Sequence, residues 1–154
     1  MTETRWLDAA QQRAWQGYLA MQAQLNARLN RQLQADSDLS LPDFDVLAHL
    51  TDASANRVRV FELARTLQWE KSRLSHHLAR MQRRGLVARE ECPSDARGAF
   101  IVLTPEGREA IEEAAPQHVE TVQRLFFDGL TEDQVRVLAT ISDRVLARLA
   151  AEDD

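Results

Sequence analysis

The sequence predicts a mainly α-helical chain with one small β-hairpin wing, and three observations carry that prediction. Apolar side chains recur at helical steps over most of the 154 residues. Glycine and proline are scarce, at five and four. The β-prone runs are short and gathered at residues 57–60 and 86–103. A composition that is 44% hydrophobic and 28% charged is that of a folded globular chain. The length suits one ordinary domain and excludes a barrel enzyme with a separate substrate domain.

The first 34 residues form one long helix, with Leu7, Ala14, Tyr18, Met21, Leu25 and Leu29 spaced by three, four and seven. Ala35 to Leu39 break it. Ser40-Leu41-Pro42-Asp43 then supplies a capping serine, an early proline and an acid at the third helical position, opening a second helix to about Leu50. Arg57 to Val60 alternate like a very short strand, too short to stand alone. Phe61–Leu67 make one or two helical turns, Gln68-Trp69-Glu70 a tight junction, and Lys71–Arg84 a further helix with Leu74, Leu78 and Met81 on its inner face; Gly85 ends it. Leu86–Cys92 and Ala99–Leu103 pair as a hairpin around the loop Pro93–Gly98. Thr104-Pro105-Glu106 opens the next helix, with a kink expected at Pro116. Thr131 to Gln134 form another capping box, starting a last helix whose Leu138, Ile141, Val145 and Leu149 keep one apolar stripe.

Two short helices around a tight turn, followed by a hairpin with a polar tip, make a winged helix-turn-helix over residues 40–104. Residues 1–34 and 105–154 then form a helical dimerisation region, because the terminal helices carry more apolar surface than one elongated chain can bury. Leu7, Leu138, Ile141, Val145 and Leu149 are the expected interface residues, and pairing two chains would set two recognition helices about one DNA turn apart.

The charge distribution agrees with a polyanion partner. The chain carries a formal −5, yet residues 57–97 hold ten Lys+Arg against five acids and the remainder is −10. On the helix from Lys71, inward Leu74, Leu78 and Met81 leave Lys71, Ser72, Arg73, Ser75, His76, Arg80 and Arg83 toward solvent or groove. Lysine and arginine can read guanine edges, and serine can contact a base or a phosphate. Arg80, Arg83 and Arg84 lie farther along, as phosphate or structural contacts. Arg97 on the hairpin loop can enter a minor groove, with Asp95 as an orienting carboxylate or simply a turn cap.

In this order the long helix, LSLPDFDVLAHL, FELARTL-QWEKSRLSHHLARMQRRGLVARE, the D-x-R loop and LTPEGR resemble the MarR (multiple antibiotic resistance regulator) family across nearly the whole chain. The most specific parts are R-x-L-S-x-x-L-x-x-M-x-x-x-G-L-V-x-R at Arg73–Arg89, Asp95-x-Arg97, and Leu103-Thr104-Pro105-x-Gly107. The resemblance implies a homodimeric bacterial transcription regulator, of the ligand-responsive repressor type, that binds a pseudo-palindromic operator in double-stranded DNA. Release would come from a small aromatic or lipophilic effector or from an oxidant. The family's base-reading positions fall on Lys71, Ser72, Arg73, Ser75 and His76, and its wing arginine on Arg97. Ala96 departs from the family, which frequently carries a charge there, so the tip has one charge fewer.

Trp15, Tyr18, Met21 and Phe44 are candidates to line an effector pocket, although aromatic residues at helical spacing serve equally as plain core. Adjacent His76 and His77 point about 100° apart and cannot chelate one metal from the same face. Cys92, beside Glu90 and Glu91, is not placed to be a low-pKa redox thiol. No metal and no cofactor is expected. The five glycines build no phosphate-cradling loop, and neither G-x-S-x-G nor His-Glu-x-x-His occurs, so no enzyme is expected. The competing reading is a winged-helix module that binds ligand or protein and no longer binds DNA. With no apolar run of about 20 residues and no leader at the N-terminus, the chain is expected to be cytoplasmic, with no membrane partner.

Overall fold

A computed structural model of the chain describes residues 2–91 and 98–153, so Cys92, Asp95, Ala96 and Arg97 lie outside the described residues. Helix α1 spans Ala9–Ser37. Its start is fixed by a capping box, in which Gln11 N–H donates to Asp8 Oδ1 at 2.8 Å and Asp8 N–H to Gln11 Oε1 at 3.0 Å. Leu7, expected on the first helical stripe, therefore precedes the cap. At the other end the helix runs on to Ser37 and stops where Asp38 takes a left-handed φ of 57°.

Helix α2 (Leu41–Asp52) opens with the expected Ser40–Asp43 box and Pro42 in its first turn. Strand β1 (Arg57–Arg59), helix α3 (Val60–Leu67), helix α4 (Lys71–Arg83), strands β2 (Val87–Glu90) and β3 (Phe100–Leu103), helix α5 (Pro105–Val122) and helix α6 (Glu132–Asp153) follow. α5 continues helically through Pro116.

The sheet is wider than the expected hairpin. β2 and β3 pair antiparallel with Val87 opposite Leu103, and β1 takes the other edge of β3 with Arg59 opposite Phe100, giving the order β1-β3-β2. Three residues suffice for β1 because β3 supplies its hydrogen-bond partners and its arginines are held from both sides. The Arg57 and Arg59 guanidinium carbons sit 4.0 and 4.5 Å from the centre of the Phe100 ring, and Arg57 reaches across to Glu90 at 3.1 Å.

Two compact units emerge, one up to His118 and one from Val119 onward. The first holds the core, in which Leu47, Leu50, Leu63, Leu74, Met81 and Ile101 are essentially inaccessible. The junction into α5 is tight. Thr104 Oγ1 accepts the Gly107 N–H at 2.9 Å as the helix cap, and its hydroxyl hydrogen faces the carbonyls of Gly85 and Leu86 at 2.6 and 2.9 Å. A Cβ on Gly107 would lie 2.0 Å from the Leu86 carbonyl oxygen, so only glycine fits. The second unit contains a π-helical turn at Gln123–Phe127, a Thr131–Gln134 capping box and α6. Along α6, Val137, Ile141, Val145 and Leu149 recur at steps of four, each more than half exposed, while Leu138 is half-buried. No described helix is long and apolar enough to cross a membrane.

Candidate nucleic-acid interface

The turn between α3 and α4 aims the candidate residues. Gln68 takes a left-handed φ of 57°, its side-chain amide donates to the Arg65 carbonyl at 2.6 Å, and Trp69 N–H bonds to the Ala64 carbonyl at 3.0 Å. α4 leaves that turn with Leu74, His77, Leu78 and Met81 buried. The same helical period puts Lys71, Ser72, Arg73, Ser75, His76 and Arg80 on its exposed sides. Glu70 stands at the N-cap of α4 without capping it through its side chain, and no acid follows in the first turn, so the first N–H groups of the helix lie beside these donors without a side-chain partner.

The basic segment divides into two groups. Arg57 pairs with Glu90 at 3.1 Å, Arg84 with Asp43 at 2.8 Å and Arg89 with Glu91 at 2.7 Å. Arg59 lies on Phe100. By contrast, Arg65, Lys71, Arg73, Arg80 and Arg83 form no ion pair among the described residues. Arg73 instead lies over the Trp69 ring at 4.5 Å. Arg73, His77 and Arg80 line a cleft of about 520 Å³, whose α1 side presents neutral Asn26, Asn30 and Gln34 and no carboxylate. Unneutralised cations, four of these five on α4, can neutralise phosphates and donate to base edges.

Behind that surface lies a buried ionic cluster. Asp43, 3% exposed, accepts the Ser40 N–H at 3.0 Å and an Arg84 N–H at 2.8 Å on Oδ2, while His77 Nε2 lies 2.9 Å from Oδ1. Burial disfavours the carboxylate, but the His77 contact, the Ser40 N–H and the Arg84 guanidinium outweigh it and hold Asp43 well below the usual carboxylate range. Arg84 also donates to the Asp38 carbonyl at 2.8 Å, so it ties α4 to the α1–α2 junction. Of the two roles expected for Arg84, the structural one is realised here. Neither the cluster nor the Trp69 platform under Arg73 is announced in the sequence: Asp43 and Arg84 are 41 residues apart, and the capping pattern accounts for Asp43 alone.

The other expected residues are dispersed. Trp15 and Tyr18 stack on each other at 5.7 Å and are, with Met21, substantially exposed. Phe44 packs on the core with its ring 4.2 Å from His118, whose pKa is lowered by burial. Asp95 and Arg97 fall outside the described residues.

Comparison with known proteins gives a consistent picture. A family model described as "MarR family" matches residues 37–98. The transcriptional regulator HosA of Escherichia coli O111:H- is 38% identical over 80 residues, which cover 51% of this chain and 57% of HosA; the match thus spans little more than half of that relative. The crystal structure of AbsC, a MarR family transcriptional regulator from Streptomyces coelicolor, superposes with a TM-score of 0.89 at 36% identity, covering 96% of this chain and 99% of AbsC. Sco3205, a MarR family transcriptional regulator from the same organism whose structure is in complex with DNA, gives 0.88 at 41% identity, covering 94% and 90%.

Proposed function

The chain belongs to the MarR family, and from that premise we propose that it is a homodimeric, ligand-responsive repressor of transcription that binds a pseudo-palindromic operator. The observation that carries the DNA reading is the set of exposed donors on α4, from Lys71 to Arg80, whose cations have no carboxylate partner among the described residues. In this reading α4 enters the major groove. Lys71, Ser72, Arg73, Ser75 and His76 face base edges or flanking phosphates, and Arg80 meets the backbone. Arg97, oriented by Asp95, enters the adjacent minor groove. The α6 stripe, with Leu138, Ile141, Val145 and Leu149, joins two chains and sets half-site spacing, with Leu7 near the same interface. An aromatic or lipophilic effector would act through Trp15, Tyr18, Met21 and Phe44. The DNA complex formed by Sco3205 supports the choice of partner.

Selection from a random duplex pool tests this reading. It is expected to enrich inverted half-sites with centres about one helical turn apart, bound by two chains per duplex. Enrichment of nothing, with no salt-dependent retention of any duplex, would instead favour a module that has left DNA.

A further inference from the structure

The inner edge of the α4 surface is built from two buried polar residues. His77 is 8% exposed and Asp43 3%, and packing alone would be served by apolar side chains at both positions. Their atoms nevertheless make a chain of close contacts. Asp43 Oδ1 stands 2.9 Å from His77 Nε2, and His77 Nδ1 stands 3.2 Å from Arg80 Nη2. Nε2 lies within ion-pair distance of the carboxylate without aligning as a hydrogen bond, and Arg80 donates toward Nδ1, so the ring proton belongs on Nε2. Nδ1 is then a bare acceptor, which suits arginine, a side chain with donors only. The ring plane is fixed from another direction by Trp69, whose own ring meets it edge-on at 5.4 Å and carries Arg73 on its face. Asp43 is in turn immobilised by the Ser40 N–H and by Arg84.

We propose that His77, oriented by Asp43, is a positioning residue that holds the Arg80 guanidinium in its DNA-contacting orientation before DNA arrives. The proposal rests on the DNA-binding reading above. Arg80 has a long exposed side chain whose freedom must otherwise be given up on binding, and a fixed acceptor removes part of that loss in advance. Asp43 and His77 thus shape affinity without touching DNA.

A double-mutant cycle separates positioning from mere packing. In His77→Gln the side-chain amide can still donate toward Asp43, but its carbonyl oxygen no longer lies at the Nδ1 position that accepts from Arg80. Duplex affinity is expected to fall on the order of five-fold at an almost unchanged thermal midpoint, and by less than about two-fold in an Arg80→Ala background. Equal losses in both backgrounds would overturn the positioning role while leaving DNA binding intact. A wild-type chain that binds no duplex would instead overturn the functional reading. Nitrogen NMR of the free wild-type chain needs no variant to fold: a protonated Nε2 and a bare Nδ1 on His77 are expected, and a proton on Nδ1 would overturn the proposal.

Discussion

Asp43 illustrates how one residue can serve the fold and the surface together. Its carboxyl is held below the ordinary range, so the stability it contributes is present above the unfolded value of about 4 and is lost as pH falls from there toward the folded value. Asp43→Asn should therefore lower stability at pH 7 by about 1–3 kcal/mol, a figure discounted because Arg84 is partly exposed. Denaturant titrations from pH 7 to pH 3 should show the difference between wild type and variant shrinking as the solution is acidified. A constant difference would mean that the charge of Asp43 is not what matters. At this scale the sequence was legible for residues whose roles are local. The capping pattern identified Ser40 and Asp43, and helical periodicity identified the exposed donors of α4. It was silent on Arg57 and Arg59 and left Arg84 between two roles, because a count of basic residues does not reveal which guanidinium is neutralised by a carboxylate or ring brought near by the fold.

Among the elements, the junction of β3 with α5 makes the strictest demand. Gly107→Ala would drive a Cβ into the Leu86 carbonyl and should destabilise by about 3 kcal/mol, read as a lower denaturation midpoint. Gly17→Ala is its counterpart. It lies in the middle of α1 with nothing within 4 Å of an added Cβ, so it should stabilise by about 0.5–1 kcal/mol. If both variants shifted stability alike, close approach at Gly107 would not explain its glycine. Helix starts were readable wherever a capping box or an N-terminal proline marks them, as at Ser40, Thr104 and Thr131. The pairing of β1 with β3 was not, since three residues carry no signal of which edge they will join, and the true start of α1 was hidden because Leu7 continues the apolar spacing past the Asp8 cap.

For the whole molecule, the central matter is what α6 and α4 do together. Four side chains at steps of four on α6 are more than half exposed, and covering each stabilises an association by roughly 1–2 kcal/mol. Removing residues 135–154 should therefore yield a monomeric or aggregating chain without operator affinity. A truncated chain that sediments as a soluble, DNA-binding dimer would rule out α6 as the interface. The proposal that the termini pair and so space two recognition helices for DNA rests on the apolar stripe and on kinship with the MarR family. The most direct test of the account is operator affinity against a set of single-base-pair variants at two salt concentrations, for wild type, Arg73→Ala and Arg97→Ala. Arg73→Ala should cost about 1–3 kcal/mol and relax preference at one position per half-site. Arg97→Ala should weaken all variants together and flatten the salt dependence. If Arg73→Ala left the preference at every base pair unchanged, α4 would not be reading the major groove, and the account would be contradicted at its centre.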